Sequence, residues 1–120
     1  MSKARYFDTG ATRDTDEGKL DFEGFLSPVV LRRYAEYMHV HRFQSDGEVR
    51  PADNWTKGIP QEAYMKSMAR HFFAVWENQR VLVASPNWGQ FQEDQEQVEN
   101  DLCALLFNVM GLLYEHLREP

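Results

Sequence analysis

The sequence predicts a small all-α domain, a helical bundle of three main helices that is completed by homo-oligomerisation. Two segments begin at a proline suited to a helix start, and apolar residues recur at helical spacing in the second of them. A third segment is apolar on almost every side, which is typical of a buried helix. With 120 residues, 42% of them hydrophobic, the chain is long enough for one domain, residues 1–120, with a real core.

The N-terminal segment, residues 1–25, is polar and rich in turn-forming residues. Clusters of Gly, Asp and Thr favour turns over helix, so this segment is predicted to be an ordered arm or loop. Ser27 then offers a hydroxyl N-cap, and Pro28 suits the first helical position. The first helix is therefore predicted over about 28–43.

The second helix is predicted over about 61–78, after a loop that ends at Pro60. Residues 81–83 are apolar and β-branched in part, and they are predicted to form a loop or short extended segment interrupted by Pro86 and Gly89. The apolar row of the second helix repeats every three or four residues, through Met65, Met68, Ala69, Phe72 and Trp76.

The third helix is predicted over about 94–117. Acidic residues crowd its start, where they suit the positive end of the helix dipole. Leu102, Leu106 and Leu113 lie on one side, and further apolar residues cover the others. Because three helices make a thin core, the missing neighbour of this helix is predicted to be another copy of the chain.

Composition excludes several classes of protein. Thirteen Lys and Arg against nineteen Asp and Glu give a net charge of −6, which argues against a nucleic-acid polymer as partner. One cysteine permits neither an intrachain disulfide nor a cysteine-based zinc or iron–sulfur site. No apolar run reaches the length of a membrane span and no secretory signal is visible, so a soluble protein of the cytoplasm is expected.

Two carboxylates interrupt apolar helical rows. Glu36 shares a stripe with Val29, Val40 and Phe43, and Glu99 lies on a row with Cys103, Leu106 and Leu113. A carboxylate among apolar neighbours must pair, take up a proton or bind a cation. Spacing leaves two alternatives open, namely pairing with an arginine such as Arg32, Arg33 or Arg70, or sharing a divalent ion such as Mg²⁺.

Further polar residues lie at positions that suit a ligand. Asp101 and Asn108 share a row of the third helix with Ala104 and Gly111, which suits either a ligand or, as spacing alone favours, a tight helix–helix seam. The loop residues Asn54, Trp55 and Lys57 suit a base edge, a stacked base and a phosphate, or simply a loop anchored by tryptophan. Arg70 beside His71, and Lys19 in the arm, suit phosphate contacts or solvated surfaces.

Several motifs together resemble a known family, the phage dATP/dGTP diphosphohydrolases of the MazG-like (MazZ) type, related to the all-α nucleoside triphosphate pyrophosphohydrolases. The resemblance runs from about Gly10 to Glu115 and is specific in combination. It rests on Gly10-Ala11-Thr12-Arg13-Asp14 with Lys19-Leu20-Asp21, Glu36-Tyr37-Met38 with His41-Arg42, Asp53-Asn54-Trp55 with Lys57-Gly58-Ile59-Pro60, Tyr64, Ser67, Arg70-His71, and Leu102-Cys103-Ala104-Leu105-Leu106-Phe107-Asn108.

The resemblance implies cleavage of a purine dNTP, dGTP or dATP, to dNMP and pyrophosphate, with Mg²⁺ or Mn²⁺ and an attacking water. In phages whose DNA carries 2-aminoadenine, such an enzyme remodels the nucleotide pool by draining dATP and supplying dGMP. The superfamily's usual metal motif is Glu-Glu-x-x-Glu followed by Glu-Glu-x-x-Asp. This chain keeps Glu36, has His39 at the next chelating position, and has Glu99 and Asp101 as acids of the third helix.

The resulting hypothesis is a metal-dependent nucleotide pyrophosphohydrolase. Glu36 and Glu99 are the predicted catalytic acids, and with Asp101 they are the predicted metal ligands. The alternatives are a pyrophosphohydrolase for another nucleotide, dUTP or dCTP, and a non-catalytic helical interaction module. The predicted substrate-binding residues are Lys19, Asn54, Trp55, Lys57, Arg70, His71 and Asn108.

Overall fold

The structure, a computed structural model, describes residues 3–84 and 88–118. Within these residues the chain is mostly helical, with 64% helix, four α-helices and one small two-stranded sheet. The prediction that the protein is mainly helical is confirmed. The chain divides into two compact units, Met1–Leu31 and Arg32–Pro120.

The N-terminal unit contains a β-hairpin. Strand β1 (Ala4–Tyr6) pairs antiparallel with β2 (Thr12–Asp14). The connection turns at Gly10, whose φ of 89° lies in the left-handed region that favours glycine. The predicted arm is therefore ordered as a hairpin over part of its length.

A one-turn helix, α1 (Phe22–Phe25), follows the hairpin. Asp21 caps it, since its Oδ1 accepts a hydrogen bond of 2.8 Å from the Gly24 N–H. The segment was predicted to contain no helix, and that prediction is wrong at these four residues. A single turn is too short for hydrophobic periodicity to reveal, and the cap was the available signal.

Helix α2 (Pro28–Val40) begins where it was predicted to begin. The Ser27 hydroxyl accepts from the Val30 N–H at 3.2 Å, which confirms the predicted N-cap. The helix ends three residues before the predicted boundary at 43. After Val40 the backbone turns back, and the Arg50 N–H donates to the Arg42 carbonyl at 2.8 Å, so these residues pair across a loop.

The structure corrects the boundaries of the two long helices, α3 (Gln61–Ala84) and α4 (Trp88–Arg118). Residues 81–83 are helical, so the predicted loop or extended segment is wrong, and Gly89 lies inside α4. Pro86 lies outside the described residues. β-Branched residues lower helix stability by only roughly 0.5 kcal/mol each, which is too little to stop a helix that is already formed.

The two long helices pack against each other, and the buried side chains lie along this contact. Among the side chains that the structure describes, the buried hydrophobic ones are Tyr64, Val98, Cys103 and Ala104, and all lie on α3 or α4. The predicted apolar row of the second helix instead faces outward in the single chain, with Phe72 59% and Trp76 55% exposed. None of the helices described is long and apolar enough to cross a membrane.

Candidate functional site

A cavity of about 800 Å³ lies in the larger unit, between α2, the loop after it, α3 and α4. Sites for small molecules and cofactors have volumes of about 300–1,000 Å³, so this cavity can hold a ligand of nucleotide size. Five aromatic rings contribute to its wall, those of Tyr34, Tyr37, Trp55, Phe107 and Tyr114. Aromatic walls of this kind suit a flat ring system.

Four of the predicted substrate-binding residues line this cavity, namely Asn54, Trp55, His71 and Asn108. They come from the loop, from α3 and from α4, so the fold brings together residues up to 54 positions apart in sequence. Such convergence of polar side chains in an apolar cavity is typical of a binding site.

The other three predicted substrate-binding residues, Lys57, Arg70 and Lys19, do not line the cavity. Lys57 and Arg70 are exposed residues of the larger unit. Lys19 is an exposed residue of the N-terminal unit. Their assignment as substrate contacts stays a prediction.

A short 3₁₀ helix (Asn54–Lys57) positions the first two of the cavity residues. The Trp55 ring packs edge to face against Tyr114 of α4, with centroids 4.7 Å apart. This contact combines the two predicted alternatives, because Trp55 both anchors the loop and lines the cavity.

The loop is also fastened to α4 by a buried carboxylate that the sequence analysis missed. Glu115 is 6% exposed and accepts from the Ile59 N–H at 3.1 Å and from Arg118 Nε at 3.2 Å. Arg118 in turn donates to the Thr56 carbonyl at 3.4 Å. The available signal was its position four residues after Gly111, on the row that carries Asn108.

The row through Asp101, Ala104, Asn108, Gly111 and Glu115 is buried throughout. It forms the seam against α3, as spacing favoured, and three of its residues, Ala104, Asn108 and Gly111, also line the cavity. Within the row, Asn108 Nδ2 donates to the Ala104 carbonyl at 2.7 Å, so the amide is held in a fixed orientation.

Asp101 is the centre of a buried polar cluster. It is 6% exposed, and its Oδ1 lies 3.3 Å from His71 Nδ1. Its Oδ2 accepts from Asn78 Nδ2 at 3.3 Å and from Gln97 Nε2 at 3.1 Å. Three nitrogen partners satisfy this carboxylate, and it in turn orients the His71 ring at the cavity wall.

Glu99 is paired with an arginine. Arg33 of α2 donates from Nε to Glu99 Oε1 at 2.8 Å and from a terminal nitrogen to Asn100 Oδ1, also at 2.8 Å. The hydrogen bond to Glu99 raises the pKa of Arg33 above its ordinary value, and the charge of Glu36 contributes in the same direction. Of the two alternatives for Glu99, pairing with an arginine or sharing a divalent ion, the structure shows the pairing with an arginine.

The three predicted metal ligands have different surroundings in the single chain, and their role as metal ligands stays a prediction. Glu36 is exposed, Glu99 is paired with Arg33, and Asp101 is held by nitrogen partners. In the described part of the chain, no three His, Cys, Asp or Glu side chains lie close enough together to hold a metal ion.

Comparisons with models of protein families, with curated proteins and with solved structures find no match to this chain. The resemblance to the diphosphohydrolases therefore stays a prediction.

Proposed function

We propose that the protein is a nucleotide pyrophosphohydrolase that cleaves a purine deoxynucleoside triphosphate, dGTP or dATP, to dNMP and pyrophosphate. Its proposed role is remodelling of a phage nucleotide pool linked to 2-aminoadenine DNA. The observation that carries the proposal is the cavity in which Asn54, Trp55, His71 and Asn108 meet.

The cavity suits a purine nucleoside for two reasons. Aromatic rings, with Trp55 among them, offer surfaces on which a base can stack, and stacking on an aromatic side chain contributes about 1–3 kcal/mol per base. Asn54 and Asn108 supply amide groups that can hydrogen-bond a base edge. Because a site built to hydrogen-bond a substrate group rejects analogues that lack it, these two amides are the proposed determinants of base choice.

The divalent ion of the proposed reaction is assigned to the substrate, as the Mg²⁺ or Mn²⁺ complex of the triphosphate. The contacts of Glu99 with Arg33 and of Asp101 with His71 support this assignment. The role of Glu36 as a catalytic acid remains a prediction, and its exposure leaves it accessible to a ligand.

Turnover tests the proposal directly. The protein is incubated with dGTP, dATP, dCTP or dUTP in the presence of Mn²⁺, and products are separated by chromatography. We expect dGMP or dAMP with pyrophosphate, and we expect Glu36→Gln to remove turnover while an exposed acid of α3, changed as Glu62→Gln, leaves it intact. Turnover of dCTP or dUTP alone would support the alternative nucleotide, and no turnover of any dNTP would overturn the enzyme proposal.

The ion pair between Arg33 and Glu99 specifically favours the second candidate, a non-catalytic helical interaction module. Thermal melting separates the two candidates, because a ligand that binds the native state raises the Tm by mass action. A nucleotide hydrolase gains stability from dGTP with Mn²⁺, whereas an interaction module shows the same Tm with and without them.

A further inference from the structure

The charged side chains that line the cavity are all basic. None of the described residues that line it is Asp or Glu. Two arginines line it, Arg42 and Arg50, together with His39, His41 and His71. The whole chain has a net charge of −6. A basic cavity in an acidic protein favours an anionic ligand, because the local field concentrates anions there.

The two arginines are held next to each other by the backbone. The Arg50 N–H donates to the Arg42 carbonyl at 2.8 Å, and the bridge between Phe43 and Val49 continues this pairing. Two guanidinium side chains thus start from paired positions, where like charges repel. An anion bound between them removes this repulsion.

Contacts with histidines orient both guanidinium groups. One terminal nitrogen of Arg42 lies 3.0 Å from His39 Nδ1, and its Nε donates to the His39 carbonyl at 3.3 Å. A terminal nitrogen of Arg50 donates to the His41 carbonyl at 3.1 Å. Among the described residues, neither arginine forms an ion pair with a carboxylate. Their charges are not neutralised within the described chain.

We propose that Arg42 and Arg50 form the phosphate-binding site of this cavity, so that a nucleotide places its base among the aromatic rings and its phosphates on the arginine pair. This assignment deepens the proposed function and rests on it. It also replaces Lys57 and Arg70, which do not line the cavity, as the cations that meet the triphosphate. Guanidinium groups suit this role because their planar donors match phosphate oxygens in pairs.

Binding without turnover tests the assignment. Isothermal titration calorimetry in EDTA measures the affinity of the whole chain for dGTP, dGMP and deoxyguanosine. We expect dGTP to bind at least about tenfold more tightly than deoxyguanosine, since charge-assisted hydrogen bonds to phosphate are lost in the nucleoside. We expect Arg50→Gln and Arg42→Gln each to weaken dGTP binding by about tenfold and to leave deoxyguanosine binding within about twofold.

Charge-matched variants complete the experiment. Arg80→Gln, at an exposed position of α3 outside the cavity, is the control and leaves both affinities unchanged. Because Arg42 also contacts His39, circular dichroism and Tm verify that the variants fold, and Arg50→Gln provides the second readout. If Lys57→Gln or Arg70→Gln weakens dGTP binding and the two cavity variants do not, the assignment is overturned.

The assignment and the proposed function fail in different ways. If the wild type hydrolyses dGTP and both cavity variants keep its KM, the arginine assignment is overturned and the function stands. If the cavity variants lose dGTP affinity while the wild type turns over no dNTP, the binding site stands and the hydrolase is overturned. Equal affinity of the wild type for dGTP and deoxyguanosine overturns the arginine assignment.

Discussion

At the scale of single residues, the contact between Tyr64 and Gly111 sets how closely α3 and α4 approach. Tyr64 is 2% exposed, and a Cβ built on Gly111 would lie 2.2 Å from its ring carbons. No real side chain tolerates that distance, so glycine is required at this position of α4. The same residue also lines the cavity, which links the packing of the seam to the shape of the site.

We predict that Gly111→Ala destabilises the protein by about 2 kcal/mol, because the added methyl group forces the Tyr64 ring and the two helices apart. The sign is informative, since glycine to alanine within an exposed helix normally stabilises by roughly 0.5–1 kcal/mol. Urea unfolding followed by circular dichroism measures the change. The double variant with Tyr64→Leu should lose less than the sum of the single variants, and an unchanged or raised stability in Gly111→Ala would contradict the packing.

Burial raises the pKa of the hydroxyls of Tyr34, Tyr37 and Tyr64 and of the Cys103 thiol. Their ordinary values are 10.0 for tyrosine and 9.0 for cysteine. A raised pKa means that the folded chain holds protons that the unfolded chain releases in alkali. The stability that these four groups contribute is therefore fully present below about pH 9 and is lost as the pH rises above it.

We predict that the protein loses stability at alkaline pH. The measurement is the free energy of unfolding in urea between pH 7 and pH 10.5. Tyr34→Phe should flatten the pH dependence because it removes one of the titrating groups. Tyr6→Phe, at a side chain 81% exposed, is the matched control. A free energy of unfolding that stays constant up to pH 10.5 would show that the folded chain does not retain these protons.

At the scale of elements, the 3₁₀ helix is attached to the C-terminal turns of α4 by Glu115, Arg118 and Tyr114. Glu115 holds the Ile59 N–H, and Arg118 holds the Thr56 carbonyl. The position of Trp55 in the cavity wall therefore depends on side chains almost sixty residues away. We assign Glu115 as a positioning residue of the loop.

We predict that Glu115→Ala loosens this loop, because it removes the acceptor of the Ile59 N–H and the carboxylate that pairs with Arg118. The expected cost is about 2 kcal/mol, as for other buried charged hydrogen-bond partners. Trypsin should cleave after Lys57 faster in this variant than in the wild type, because a loosened loop opens more often. Glu96→Ala, at an exposed acid of the same helix, is the control, and equal cleavage of the two variants would contradict the anchoring role.

At the scale of the whole molecule, large apolar side chains remain exposed in the single chain. Phe72 and Trp76 lie with Val75 around a shallow depression on α3, and Leu102 and Leu113 are 47% and 56% exposed on α4. Large exposed apolar patches are typical of protein interaction sites. The prediction that copies of the chain associate stays a prediction, and these residues are candidates for the interface.

We predict that the protein sediments as a homo-oligomer, with at least twice the 14.1 kDa mass of one chain. Trp76→Glu should shift it towards the monomer, because a charge placed in an apolar interface is costly to bury. Ser45→Glu, at an exposed polar residue outside this depression, is the matched control. Analytical ultracentrifugation at micromolar concentration measures the mass, and a monomeric wild type would contradict the prediction.

Local chemistry explains which parts of the fold were predictable. The helix starts at Pro28 and Gln61 and the Ser27 cap depend on neighbours within one turn, so the printed sequence determines them. Helix ends were less predictable. The chain turns back after α2, and the Arg50 N–H donates to the Arg42 carbonyl across a loop, a contact that helical spacing does not indicate.

Among the candidate residues, the sequence by itself indicated seven ligand contacts, of which Asn54, Trp55, His71 and Asn108 line the cavity. It indicated Asp101 as a metal ligand or as a polar residue of a seam. Only the tertiary structure decided that Glu99 pairs with Arg33, that Tyr64 and not the row through Phe72 faces α4, and that Arg42 and Arg50 both line the cavity. The physical reason is the separation in sequence between the residues that interact. Periodicity and caps record interactions within a few residues, whereas an ion pair between positions 33 and 99 depends on how two helices pack, and helical spacing does not encode that arrangement.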